Sequence, residues 1–238
     1  MLSPKVQIKK NSYILFDRSK YTQLPSEWFL ESYWRDHNLI IDEILGRGKV
    51  FVVQQQDEKW VLRHYHRGGL IANVTEDIYV WTGLEKTRSF REWRLLQSLY
   101  QQNLPVPRPI SAQVIRNGIF YSANIITECI ENSHSWASLI ISKEAESAHW
   151  RTIGLTLKRF HQKGVNHVDL NAHNIIIDSS EQIYLVDFDR SGVYEDGTWK
   201  KKNINRLLRS LKKLSLKSGC NFNEKGWKQL LSSYNSGL

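Results

Sequence analysis

The chain has 238 residues, 41% of them apolar and 24% charged, enough to bury the core of one ordinary catalytic domain. Its 33 lysines and arginines against 24 acidic residues give a formal charge of +9, which calls for an anionic partner without saying whether that is nucleic acid, phosphorylated lipid or a bilayer surface. The two cysteines, Cys129 and Cys220, lack C-x-x-C spacing and so exclude a disulfide framework or a cysteine zinc site, and no window approaches the roughly 18 apolar residues of a spanning helix.

The first ten residues, Met1 to Lys10, hold no apolar run of signal-peptide length, so the protein is expected to stay in the cytoplasm. Ile40 to Leu45, then Gly46-Arg47-Gly48, then Val50 to Val53 predict a strand, a glycine turn and a returning strand. Glycine lets a backbone approach phosphates closely, although G-x-G alone more often marks a plain hairpin. Lys59 to Tyr65 predicts the next strand, with Arg63 in it. Ser89 to Leu99 has apolar residues at helical spacing. Glu92 sits near its start, where Ser89 and Glu92 also fit a capping box. Glu85 shares the same face if the helix begins sooner. Leu104 to Ile110 carries the only proline cluster and reads as a rigid loop. Ile125 to Ile130 predicts a further strand, with Cys129 as a small core residue.

Near the C-terminus, Ile204, Leu207, Leu208, Leu211 and Leu214 recur at helical spacing among Arg206, Arg209, Lys212, Lys213 and Lys217. This is an amphipathic basic helix. Either its leucines pack into a core beneath a solvated basic face, or that face meets a membrane. Among nine tryptophans, Trp28, Trp34, Trp81 and Trp199 suit a lipid interface or, more simply, a core or its rim.

The strongest signal is His167-Val168-Asp169-Leu170-Asn171-Ala172-His173-Asn174, followed by Asp187-Phe188-Asp189. Ile175 to Ile177 and Ile183 to Val186 predict two buried strands joined by a turn through Asp178 to Gln182. A hairpin brings its ends together, so Asn174 and Asp187 should lie side by side. Two hard oxygen donors at one spot suit Mg²⁺, which takes few protein ligands and completes its shell with phosphate oxygens and water. Asp169 would lie beside that ion, placed to accept a proton from an attacking hydroxyl.

H-x-D-L-x-x-x-N with D-F-x at hairpin spacing resembles the catalytic loop and metal motif of the protein-kinase-like fold. The resemblance implies an α+β, bilobal architecture with a small N-lobe of antiparallel sheet and one helix and a mainly helical C-lobe. The expected layout is a single domain over 1–238, with the N-lobe at about 1–127, a hinge at about 128–132 and the C-lobe at about 133–238. It also implies that Gly46, Arg47 and Gly48 cover ATP phosphates, that Arg63 grips them with Glu92 as its partner, and that the segment at Glu128 holds the adenine. Arg63 stands where kinases commonly carry lysine, and the two are not equivalent at a packed site. Asn171 replaces a lysine usual in protein kinases, Asp189 replaces the glycine of D-F-G, and only Arg190 to Lys200 separates the motif from the basic helix. A peptide platform has little room there, which points to a small-molecule, sugar or glycolipid acceptor.

Six stretches are similar to the 3-deoxy-D-manno-octulosonic acid (Kdo) kinase family: Trp60 to Gly69, Trp81 to Glu85, Phe90 to Leu96, Leu104 to Pro109, Gly164 to Asn174 and Tyr184 to Arg190. That resemblance makes Arg63 a family trait. It implies ATP- and Mg²⁺-dependent phosphorylation of the Kdo 4-hydroxyl on Kdo-lipid IVA, at the cytoplasmic face of the inner membrane. The partners it implies are an anionic glycolipid and the membrane surface. No protein partner is inferred, and a basic charge without an RNA-binding module argues against nucleic acid. A lipopolysaccharide heptose kinase, another small-molecule kinase and a non-catalytic nucleotide-binding scaffold stay open as alternatives.

Overall fold

A computed structural model describes residues 2–44, 50–65, 78–219 and 221–236. The chain divides into two compact units, Met1–Gln102 with Pro107–Cys129, and Asn103–Val106 with Ile130–Leu238.

The first unit is built on β1 (Pro4–Lys9), β2 (Ser12–Asp17), a short α1 (Glu31–Asp36), β3 (Ile40–Ile44), β4 (Val50–Gln55), β5 (Glu58–His64), β6 (Tyr79–Val80), α2 (Arg88–Gln101), β7 (Pro109–Asn117) and β8 (Phe120–Glu128). Its strands form one antiparallel sheet in the order β1-β2-β7-β8-β5-β4-β3, with β6 on β8. Period-two alternation sets the faces: in β5, Trp60 and Leu62 point into the core while Val61 and Arg63 lie on the other side. Trp60 joins Phe16, Phe29, Phe51 and Trp34 in that core. Trp34 comes from α1, an addition to the single helix expected, and its indole N–H donates to Trp28 O at 2.8 Å. On α2, Phe90, Trp93, Leu96 and Leu99 form the apolar stripe that packs on β7 and β8.

The tryptophans follow the simpler reading. Trp34 is fully buried and Trp28 packs edge-on against Trp60. Trp81 lies against Tyr13 with the Arg116 guanidinium 4.7 Å over its ring. Cys129, by contrast, is half-buried rather than a core residue. Burial already falls off within the strand, from the buried Ile125 and Ile126 to the half-buried Thr127 and Glu128, and the strand stops at Glu128, one residue before Cys129. Cys220 lies outside the described residues.

The second unit comprises β9 (Ser133–Ser135), α3 (Trp136–Ser142), α4 (Ser147–Gln162), β10 (Val165–Asn166), β11 (Ile175–Asp178), β12 (Ile183–Leu185), β13 (Gly192–Val193), α5 (Trp199–Ser218) and α6 (Glu224–Asn235). The strands form two small sheets, β12-β11-β9 and β10-β13. The proline-rich loop joins this unit at Pro105, whose carbonyl accepts from Leu185 N at 3.1 Å. On α5, Ile204, Leu207, Leu211 and Leu214 are buried while Arg209, Lys212, Lys213 and Lys217 are exposed, so the apolar residues pack inward and the basic face is open. Trp199 packs edge-on to His161. Among the described residues no helix is long and apolar enough to cross a membrane.

Glycine sets the spacing of α4 and α6. A Cβ on Gly154 would lie 2.4 Å from Leu230 O, and one on Gly226 2.5 Å from the Trp150 ring. Backbone cannot yield as a flexible side chain does, so Gly154→Ala is expected to destabilise the protein by about 1–3 kcal/mol through overpacking. Urea unfolding checks this, and an unchanged midpoint would show that the two helices separate freely.

Candidate active site

The loop after β10 and the β11–β12 hairpin meet because the hairpin register pairs Ile175 with Leu185. One residue further out, Val186 N donates to Asn174 O at 3.1 Å, which sets Asp187 beside Asn174 at the open end of the ladder. Asp187 itself adopts a left-handed backbone, φ 63°. Aspartate tolerates that region better than most residues, and the chain turns sharply there. Phe188 follows and is fully buried, 4.7 Å from the His167 ring and 6.2 Å from Phe160.

His167 works as a tie. It is 2% exposed, and burial pushes its pKa down, so the ring is neutral and its Nε2–H donates to Val186 O at 2.9 Å. Behind it, Asn203 of α5 accepts from His167 N at 3.1 Å and approaches His161 Nε2 at 3.3 Å. Burial pushes the His161 pKa down to about 4, which keeps this network neutral around pH 7.

Two asparagines hold the backbone of Asp169. Asn171 Nδ2 and Asn174 Nδ2 donate to Asp169 O at 2.8 and 3.0 Å, while Asn171 Oδ1 accepts from His173 N and Asn174 N. Asn171, which stands in place of a lysine, is therefore a brace of the loop. Anchoring Asn174 through its nitrogen leaves Oδ1 as the atom available to a cation. The donor set fits Mg²⁺, with one amide oxygen, one neighbouring carboxylate and room for phosphate oxygens. Among the described residues no group of three or more His, Cys, Asp or Glu side chains converges as a metal cage, and this ion does not need one. Asp189 lies 3.8 Å from Arg190, a loose contact beside the turn.

One partner escaped the sequence. Arg206 Nε–H donates to Asp169 Oδ1 at 3.0 Å, and a second guanidinium nitrogen reaches the same oxygen. In the sequence Arg206 is one of a run of basic residues. Nothing local distinguishes it, because the pairing depends on where α5 is docked.

In the first unit, Arg63 of β5 reaches Glu92 of α2, its Nη2–H donating to Oε1 at 2.5 Å. Tyr65 donates its hydroxyl to the other carboxylate oxygen, also at 2.5 Å, and the Arg63 guanidinium lies 4.9 Å over the Tyr65 ring. Tyr65 had no separate signal in the sequence. The capping box does not form: Ser89 is buried inside α2 and donates to Gln113 O, and the N-cap Thr87 makes no side-chain cap. Glu85 instead pairs with Arg94 at 3.0 Å in an exposed position. Glu128 closes β8, with its N–H donated to Arg108 O and its carboxylate 3.5 Å from the Arg108 guanidinium. That side chain belongs to a cluster with Glu58, whose pKa is lowered to about 2 by Lys20, Trp60 and Arg108 against the cost of its own burial. Gly46, Arg47 and Gly48 lie outside the described residues.

An arginine of the antiparallel sheet paired with a buried glutamate of α2, and an aspartate, an asparagine and an aspartate on a loop and hairpin, are the arrangement expected of a phosphotransferase of the protein-kinase-like fold. The sequence profile of the lipopolysaccharide kinase (Kdo/WaaP) family matches residues 31–234, and the chain belongs to that family. It is 38% identical over 232 residues to the 3-deoxy-D-manno-octulosonic acid kinase of Haemophilus influenzae (strain PittEE), covering 94% of this chain and 96% of the relative. It is 40% identical over 235 residues to the enzyme of that name from Mannheimia succiniciproducens, covering 94% and 97%. The Vibrio parahaemolyticus enzyme of that name is 37% identical over 215 residues, 90% of each chain.

Proposed function

We propose that this kinase transfers the γ-phosphoryl group of ATP to the 4-hydroxyl of the Kdo sugar on Kdo-lipid IVA. The observation that carries the reading is the loop built around Asp169, with Asn174 and Asp187 side by side, in a chain similar along nearly its whole length to kinases named for Kdo.

Asp169 orients the sugar hydroxyl and takes its proton. The hydroxyl oxygen forms the new bond to the γ-phosphorus, the bond to the bridging oxygen breaks, and ADP leaves with that electron pair. The Asn174 side-chain oxygen and the Asp187 carboxylate would hold Mg²⁺, which when bound would neutralise charge on the phosphates. Arg63, oriented by Glu92 and Tyr65, grips the phosphates that are not transferred. A guanidinium fork suits phosphate oxygens and stays charged at any working pH. Positioning and charge stabilisation supply most of the rate. Gly46 to Gly48 as phosphate cover and the segment at Glu128 as adenine site are proposed from sequence resemblance.

The enzyme works at the cytoplasmic face of the inner membrane, with the exposed basic face of α5 drawing it to the anionic acceptor and its bilayer. Activity on detergent-dispersed acceptor is then expected to fall as salt rises from about 50 to 300 mM, since exposed charges are screened over that range. A flat salt response would remove charge-led docking. Mass spectrometry of Kdo-lipid IVA after incubation with protein and Mg-ATP tests the reaction itself. The expected product gains one phosphate on the Kdo sugar. Transfer confined to a heptose-bearing acceptor in the same panel would overturn the Kdo assignment.

A further inference from the structure

We infer that Arg206 is a positioning residue for phosphoryl transfer, one that fixes the Asp169 carboxylate so that Oδ2 is the atom receiving the acceptor proton. The inference rests on the reading of Asp169 as the base.

The helix α5 runs along the loop with one polar stripe, Asn203, Arg206 and Ser210, at i, i+3 and i+7. Each member meets the loop three residues beyond the last. Asn203 Nδ2 donates to Asn166 Oδ1 at 2.8 Å and its Oδ1 accepts from His167 N at 3.1 Å. Arg206 donates to Asp169 Oδ1, and Ser210 Oγ accepts from Ala172 N at 3.4 Å. The stripe runs beside the apolar one, Ile204, Leu207, Leu211 and Leu214, which is buried. The helix thus serves as a ruler for the loop, and Arg206 is its one mark that touches a reacting side chain.

The geometry of the pair is asymmetric. A guanidinium commonly spans both oxygens of a carboxylate. Here two of its nitrogens converge on Oδ1, and Oδ2 receives no donor among the described residues. The asparagines fix the main chain of Asp169 and Arg206 holds one oxygen of its side chain, so the base is oriented before substrate arrives. Asp169 and Arg206 are 43% and 44% exposed in their side chains. An ion pair that open contributes at most about 1 kcal/mol to folding, so stability alone gives little reason for it.

The test compares wild type, Arg206→Ala and Arg206→Lys on Kdo-lipid IVA at saturating Mg-ATP, with a thermal unfolding curve for each. Loss of the positioning contact is expected to lower kcat of Arg206→Ala about 100-fold, as misplacement of a reacting group does. The KM for ATP should stay within about threefold and the unfolding midpoint within a few degrees, as for an exposed pair. Arg206→Lys, a point charge without the fork, is expected to recover only part of kcat, and millimolar guanidinium should restore activity to Arg206→Ala. A kcat for Arg206→Ala equal to wild type would overturn the inference while leaving the kinase reading intact. A higher kcat would overturn it too, because the arginine would then be an obstruction. So would a loss that tracks a collapsed unfolding midpoint in both variants, or one that guanidinium leaves unrepaired. Wild-type protein that leaves the Kdo sugar unphosphorylated removes the proposed acceptor, and the inference falls with it.

Discussion

Asp169→Asn is expected to fold as the wild type does and to turn over about 1,000-fold more slowly at saturating ATP and acceptor, within the range a positioned general base supplies. The substitution keeps the shape of the side chain and leaves the main-chain clamp from Asn171 and Asn174 onto Asp169 O untouched. What it removes is the acceptor of the hydroxyl proton and the charge that Arg206 holds. Because Asp169 is 43% exposed and its pair with Arg206 is open to solvent, little stability goes with it. Single-turnover transfer of labelled phosphate measures the step directly, and circular dichroism on the same sample checks the fold. Turnover near the wild-type rate would mean that another group takes the proton and that the loop is assembled for some other purpose.

Glu92→Ala should damage both fold and function. The Glu92 side chain is 2% exposed and receives Arg63 on one oxygen and the Tyr65 hydroxyl on the other. Removing one partner of a fully buried pair costs about 3–5 kcal/mol, and with Arg63 partly exposed the loss is expected toward the lower end of that range. Arg63, 20% exposed, would lose the carboxylate that orients it, and the KM for ATP should rise accordingly. Glu92→Gln keeps an acceptor for Tyr65 but not the charge, so it should fall between the two. Urea unfolding reads the first effect and ATP dependence the second. Wild-type values in both would make the Arg63–Glu92 pair a bystander. The comparison also separates Glu92 from Glu85, whose exposed pair with Arg94 predicts little change on either measurement.

Much of the second unit was legible in the sequence because its contacts are local. Two isoleucine-rich runs with a turn between them can pair in few ways, and the register Ile175 to Leu185 places Asn174 and Asp187 where a hairpin must place them. The β3–β4 pair and the α2 stripe were readable for the same reason. Reading became ambiguous where one pattern served two purposes. Ser89 and Glu92 spell a capping box, and only the docking of α2 on β7 shows Ser89 bonded to Gln113 and Glu92 turned to Arg63. Cys129 read as core because its run was apolar, yet the strand ends one residue before it.

From sequence alone came the chemistry: which residue types are present, and how far apart they sit along the chain. Spacing of that kind fixes periodicity, and periodicity fixes strands, helices and the ends of a hairpin. The partners of those residues across the chain were decided only by the tertiary structure. Arg206 has basic neighbours on every side in sequence, yet it alone among them is paired with Asp169. Its choice of partner is set by the packing of α5, through Leu207, Leu211 and Leu214, and no local pattern encodes where a helix docks.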